Sequence, residues 1–280
     1  MVSSKLAVGS VSNQAFLHYL CALARSIREN APEVHFHAHL INVTQDGVES
    51  VRQAMGRGEI TVENIQLSKE EERGHSSNSR VYVVHKLLSS GFDVVVNMDP
   101  DALVRKGFSM ILQHSLENYD VLLFRQSRIK KSNIGEKVHF LACMSIFKNG
   151  ANAKTFVAKW LAELEPMRLE WFGDQIALFR AFEKTNVIVR VGDIPLGLLD
   201  WEFAFKSYVW MAKGNKKYSS SMFSLELEKY APNRPASVVF FIILIKQLTL
   251  RGQFLFWKIK IAIISYLLYI RSFIRFKKKI

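Results

Sequence analysis

Short apolar runs alternate with amphipathic stretches over roughly the first 220 residues. Lys5 to Val11 reads as a strand, and apolar residues at Phe16, Leu20, Leu23, Ala24 and Ile27 predict a helix over Asn13 to Asn30, with Ser12 or Asn13 able to cap it. Val34 to Val43 is a second strand, Gln45 to Met55 a second helix, and Ile60 to Leu67 is again extended. SKEEERGHSSNS, Ser68 to Ser79, is polar throughout and predicts a mobile loop, followed by a helix from Arg80 to Ser89. Asp93 to Met98 is rich in Val and reads as a strand buried on both faces. Strands are expected again at Val121 to Arg125, Phe140 to Phe147 and Val187 to Val191. Helices are expected from about Ala151 to Leu164 and through Trp171 to Lys184, the second opening on a Gly-Asp turn. Val209 to Ser220 is strand-like and then basic, with Gly214 at a tight turn. This alternation predicts an α/β fold with a mostly parallel sheet flanked by helices. In such sheets ligands bind beyond the carboxyl ends of the strands.

The pattern changes after the Pro-containing break Pro232 to Pro235. VVFFIILI, FLFW and IAIISYLLYI are each interrupted by a cation, so no uncharged run reaches the roughly 18–20 residues of a spanning helix. If Ile259 to Lys279 forms one helix, Lys260, Arg271, Arg275 and Lys278 share a side. Apolar bulk with a cationic stripe predicts an amphipathic helical tail lying on an anionic membrane surface. The sequence thus divides into a domain at 1–225 and a basic membrane-associating tail at 226–280.

Charge supports that division. The net charge is +13, yet residues 236–280 hold nine Lys or Arg and no acidic residue, which leaves +4 on residues 1–235. Nucleic-acid binding through the tail is disfavoured, because its cations are interleaved with large aliphatic side chains that have no role against phosphates. The two cysteines, Cys21 and Cys143, lie far apart in apolar surroundings, which fits a reducing compartment. The N-terminus has no apolar core of signal-peptide length. A cytoplasmic protein, peripheral on the inner face of the membrane, is the expectation.

The candidate chemistry follows the Val-rich strand. In VVVNMDPDALVRKGF, Asp99 and Asp101 stand one residue apart, and Pro100 pushes Asp99 toward extended geometry. Residues i and i+2 of an extended segment point the same way, so the two carboxylates share a face. Their repulsion must be relieved by a hard divalent cation, a basic side chain or water.

The strand, Asp-x-Asp and Val-Arg-Lys-Gly-Phe resemble the core of nucleotide-sugar glycosyltransferases of the GT-A fold. Three further segments follow in that family's order: FLACMSIFKNGANAKTFVAKW from Phe140, GDQIAL from Gly173, and VWMAKGNKK from Val209. The last is similar to the late His-x-x-Gly-x-x-Lys element of glycogenin-like and bacterial surface-polysaccharide enzymes. The resemblance implies that Asp101 binds Mn²⁺ or Mg²⁺ on the donor diphosphate, with Asp99 on the ribose or on the metal through water. It implies Asp174 and Gln175 near the transferred sugar, Lys213 and Gly214 around the diphosphate, Ser10 and Asn13 near the nucleotide, and Arg80 within reach of the diphosphate. The implied partners are a nucleotide diphosphate-sugar and a glycan or lipid-linked acceptor. One position departs: Met211 stands where the metal-binding histidine is expected, and a thioether is a poor ligand for a hard cation.

Other readings compete. Asp174 could cap its helix. A sugar-nucleotide nucleotidyltransferase shares the layout, but VGSVSNQAF lacks a Gly-rich basic loop after the first strand. A degenerate, non-catalytic membrane adaptor would account for Met211. His35, His37 and His39 alternate along one strand and predict a polar, edge-strand face rather than a zinc site, since neighbours along a strand do not converge on a tetrahedral ion.

Overall fold

The computed structural model describes residues 5–131, 135–195, 197–203, 207–212, 214 and 220–230. The tail expected at 226–280 falls outside these residues beyond Tyr230, and Lys213 also lies outside them. Among the described residues no helix is long and apolar enough to cross a membrane.

The order of elements is β1 (Leu6–Asn13), α1 (Leu17–Asn30), β2 (His35–Ile41), α2 (Gln45–Ala54), β3 (Gly58–Glu63), α3 (Lys69–Ser89), β4 (Val94–Met98), β5 (Ala102–Val104) and α4 (Phe108–Ser115). There follow β6 (Val121–Lys131), β7 (Lys137–Lys148), α5 (Ala151–Leu164), α6 (Gly173–Thr185), β8 (Val191–Asp193), β9 (Leu199–Asp200), β10 (Val209–Met211) and α7 (Ser221–Lys229). Seven strands form the main sheet in the order β3-β2-β1-β4-β7-β6-β8. All neighbours are parallel except those of β7, which runs against both β4 and β6. The sheet is therefore mostly parallel and flanked by helices, the α/β class read from the chain.

Both faces of the sheet are covered. Val8, Val96 and Ile146 pack with Leu23, Ile27, Val51 and Leu112 from α1, α2 and α4 on one face. Ala7, Val95 and Phe147 pack with Val84, Leu87, Phe156, Trp160 and Ile176 from α3, α5 and α6 on the other. This double burial is why β4 is apolar at nearly every position and buried at all of them. A small sheet, β5-β10-β9, lies beside the main one, and Leu103 and Trp210 join it to Phe223 of α7 and to Tyr230.

Three local expectations are corrected. Ser68 to Ser79 is not a mobile loop but the first half of a 21-residue helix, α3. Ser68 Oγ accepts the Glu71 N–H at 3.3 Å and Glu71 Oε2 accepts the Ser68 N–H at 3.0 Å, a reciprocal capping box. Glu70, Glu71 and Glu72 then sit in the first turn, where the helix dipole favours negative charge. Val187 to Val191 is not a strand through its length. The Ile188 and Val189 N–H groups both donate to Thr185 O, which curls the chain past the end of α6, leaves Val187 94% exposed and delays β8 to Val191. Finally, β2 is not an edge: it lies between β1 and β3, and two of its histidines pair across to β3, His37 Nδ1 with Glu59 Oε1 at 2.6 Å and His39 Nε2 with Glu63 Oε2 at 3.0 Å.

The N-terminus of α1 also differs in detail. A single tight turn, Gln14–Phe16, precedes it, and Asn13 makes no capping bond; its amide donates to Glu72 Oε1 at 3.3 Å instead.

Ser68→Ala removes the cap of α3 and is expected to cost about 1 kcal/mol in urea-induced unfolding. A segment that was a mobile loop would show no change.

Candidate functional site

A cleft of about 210 Å³ opens at the carboxyl end of β4. Asp99 and Asp101 line it from the turn between β4 and β5, Asp174 and Gln175 from the first turn of α6, Arg80 and Ser77 from α3, and Met211 and Gly214 from the end of β10. Four chain segments far apart in sequence thus meet beyond the strand end, where an α/β sheet binds ligands.

Each group has a physical reason for its place. The Asp99 N–H donates to Cys143 O of β7 at 2.8 Å, and the Ala102 N–H to Asp99 O at 3.2 Å, so the Asp-Pro-Asp turn is tight and fixed to the sheet. The small sheet brings the far wall: Met211 pairs with Ala102 in antiparallel register, directly beside Asp101. Gly214 has φ +59°, a left-handed conformation that other residues seldom hold, and a Cβ there would meet nothing within 4 Å. The turn is set by backbone geometry rather than by crowding from the described residues.

Arg80 is the centre of the charge arrangement. Its Nη1 lies 2.8 Å from Asp99 Oδ1 and its Nε 3.3 Å from Asp174 Oδ2. The side chain is anchored by Nε–H donating to Ser77 O and Nη1–H to Ala142 O, each at 2.6 Å. Of the three ways to relieve the Asp99–Asp101 repulsion, the fold supplies the basic side chain, against Asp99. Burial alone would lower the pKa of Arg80, but the fields of Asp99 and Asp174 outweigh it and raise the pKa above its ordinary value.

Asp174 is 1% exposed. Because Nε–H is directed at Ser77 O, its nearness to Oδ2 is an ionic contact, and neither carboxylate oxygen has a hydrogen bond of good geometry, the Gln175 and Asp174 N–H groups lying near enough only to oppose the rise in pKa. Burial pushes the carboxyl up, Arg80 opposes, Asp99 adds to the rise, and the pKa stands at about 6. Asp174 does not cap α6; the capping position is Phe172, with φ +68° and no side-chain bond.

Ser10 and Asn13 are placed elsewhere: Ser10 is fully buried in β1, and Asn13 faces α3 through Glu72; neither lines the cleft. His35, His37 and His39 are not drawn together around an ion, and among the described residues no group of three His, Cys, Asp or Glu could hold one. Sequence reasoning missed Trp171, Phe172 and Trp201, which give the cleft aromatic walls, with the Arg73 guanidinium 3.6 Å above the Trp171 ring. It also missed Asn78, a buried amide on α3. The Ser68-x-x-Glu71 signature was the available signal, because it starts the helix that carries Asn78 toward the cleft.

No family model matches the chain, and no curated protein matches it in sequence. Solved structures do match in shape. The galactosyltransferase LgtC, in complex with donor and acceptor sugar analogues, superposes with a TM-score of 0.56 at 14% identity over 83% of this chain and 98% of its own. The bifunctional glycosyltransferase WbbM gives 0.56 at 16% identity over 87% of this chain and 52% of its own. The glycosyltransferase GlyE of Streptococcus pneumoniae TIGR4 gives 0.55 at 14% identity over 88% of this chain and 64% of its own. The chain has a GT-A-like glycosyltransferase fold.

The raised pKa of Asp174 has a sign that can be tested. Above about pH 6 the native protein carries a buried carboxylate that is poorly solvated. Below the unfolded value, near 4, the group is neutral in both states. Asp174→Asn is therefore expected to gain stability over wild type as pH rises from 4 to 6, by about 2 kcal/mol, and to hold that gain above pH 6. Urea unfolding of both proteins at pH 4.5 and 7.5 measures the difference.

Proposed function

We propose that the chain is an enzyme that transfers a sugar from a nucleotide diphosphate-sugar to an acceptor hydroxyl. The observation that carries this is the convergence of Asp99, Asp101, Arg80, Asp174, Gln175 and Gly214 on one cleft at the end of β4, in a fold shared with glycosyltransferases.

The residues fit a hard divalent cation in part. Carboxylate oxygens at Asp99 and Asp101 are the donors Mg²⁺ and Mn²⁺ prefer, whereas the adjacent Met211 thioether is not. A cation held chiefly by Asp101 would complete its shell from diphosphate and water oxygens, and when bound it would offset charge on the leaving diphosphate. The protein's own contribution is positional. Arg80 holds Asp99 in place and presents a fixed positive charge to the diphosphate. Asp174 and Gln175, which line the cleft, would orient hydroxyls of the transferred sugar. Gly214, with Lys213 before it, would pass close beside the diphosphate.

The acceptor is proposed to be lipid-linked or membrane-proximal, such as a growing surface glycan, with the chain peripheral on the inner face of the membrane. Support comes from the nine cations and aliphatic bulk of residues 236–280.

Calorimetry with nucleoside diphosphates, in Mn²⁺, Mg²⁺ or chelator, should show metal-dependent binding of one base, lost in Asp101→Ala. An absence of nucleotide binding under every condition would favour a non-catalytic adaptor, consistent with Met211. Deleting residues 236–280 should release the protein from anionic vesicles in a sedimentation assay. A truncated protein that still pellets would refute the membrane role of the tail.

A further inference from the structure

We propose that Asn78 and Trp160 are positioning residues for the transfer step, acting as a two-sided clamp on the Asp174 peptide units; this rests on the reading of the cleft given above. The Asp174 N–H donates to Asn78 Oδ1 at 2.8 Å, and Asp174 O accepts from Trp160 Nε1–H at 2.8 Å. The first N–H groups of a helix have no intrahelical acceptor. Asp174 is the second residue of α6, so the orphan donor is satisfied by a side chain of α3. Its carbonyl is fixed from α5.

The same amide organises the chain ahead of α6. Asn78 Nδ2 donates to Arg168 O at 2.8 Å and Glu170 O at 3.1 Å, with Met167 O at 3.3 Å. The segment from Met167 to Glu170 is thereby wrapped around one buried side chain, and Phe172 is driven to positive φ at the next corner. Such a conformation costs energy and persists only where the surroundings over-determine it. Here they do. A Cβ at Gly74 would meet Leu169 O at 1.9 Å, and one at Gly173 would meet Met167 O at 2.6 Å, so helix and loop approach at backbone contact.

Neither Asn78 nor Trp160 lines the cleft; they are 1% and 0% exposed. They cannot touch substrate and would act only through Asp174. Their effect is to deliver the carboxylate to one point, with Oδ2 3.3 Å from Arg80 Nε. Without the clamp, burial and the Asp99 charge would favour its moving away. Misplacing a reacting or orienting group by about 1 Å can cost on the order of 100-fold in rate.

The test uses the full chain and measures release of nucleoside diphosphate from UDP-, GDP- and TDP-linked hexoses without acceptor, beside affinity for the free diphosphates. Asn78→Ala and the milder Trp160→Phe are compared with wild type, and folding is checked by circular dichroism and thermal midpoint. A clamp predicts kcat lower by roughly 10–100-fold, with KM for the donor and affinity for the free diphosphate within about twofold of wild type. Unchanged kcat in a folded Trp160→Phe protein overturns it. So does a fall of kcat and diphosphate affinity together, in step with loss of folded protein, which marks a purely structural role. If wild type neither binds a diphosphate nor releases one, the transferase reading itself falls, and the clamp with it.

Discussion

The site depends on one cation. Arg80 stands between Asp99 and Asp174, two carboxylates that would otherwise repel across a partly buried cleft. Opposite charge in such surroundings is strong, but each ion also gives up water, so the arrangement is stable only with its remaining donors and acceptors engaged. Arg80 meets that condition by donating to carbonyls of its own helix and of β7. Asp174 does not, and burial, with the Asp99 charge beside it, pushes its pKa up to about 6. A buried charge left with its partner removed typically costs roughly 3–5 kcal/mol, so the arrangement of these three groups is a constraint on the whole cleft.

That cation is available because of the sheet's one reversed strand. β7 runs against both neighbours and lies beside β4, so Ala142 O comes to the end of β4 that carries the aspartates. There it accepts from Arg80 and from the buried amide of Asn97, each within 2.7 Å. The small sheet then brings Met211 against the Asp-Pro-Asp turn. Helix α6 enters from the α5 side, held at its first turn by α3 and α5. The cleft is thus a junction of the main sheet, the small sheet and a three-helix layer, and no single element contains it.

Much of this was legible in the chain. The valine run from Val94 to Val96 gave a buried strand; Asp99 and Asp101 were expected on one face of an extended segment, whereas they reach the cleft from a turn closed by the Ala102 N–H on Asp99 O. The stretch from Ser68 to Ser79 was misread because its polarity outweighed the helix-start signature Ser68-x-x-Glu71 within it. Its helix is held at the start by reciprocal capping and along its length by packing of Val81, Val84 and Leu88. The polar half has no apolar periodicity because it runs beside other polar groups: Glu72 meets Asn13 and Asn42, and His75 meets Glu63. The histidines of β2 were misplaced for a related reason. Alternating polarity on a strand looks like an exposed edge, while here His37 and His39 are paired with residues of the neighbouring strand and His35 packs on the Phe92 ring.

By itself the sequence determined the α/β class, the buried strand with its aspartate pair, and a basic aliphatic segment chemically unlike the rest of the chain. These follow from local periodicity and spacing, which act over a few residues. The resemblance named most of the groups that share the cleft, but the contacts among them were decided by tertiary structure. The partners of Arg80 are 19 and 94 residues away along the chain, and Asn78 receives the N–H of a residue 96 positions later. Contacts at such separations depend on how three layers pack, and a buried carboxylate acquires its pKa only when that packing removes water from around it.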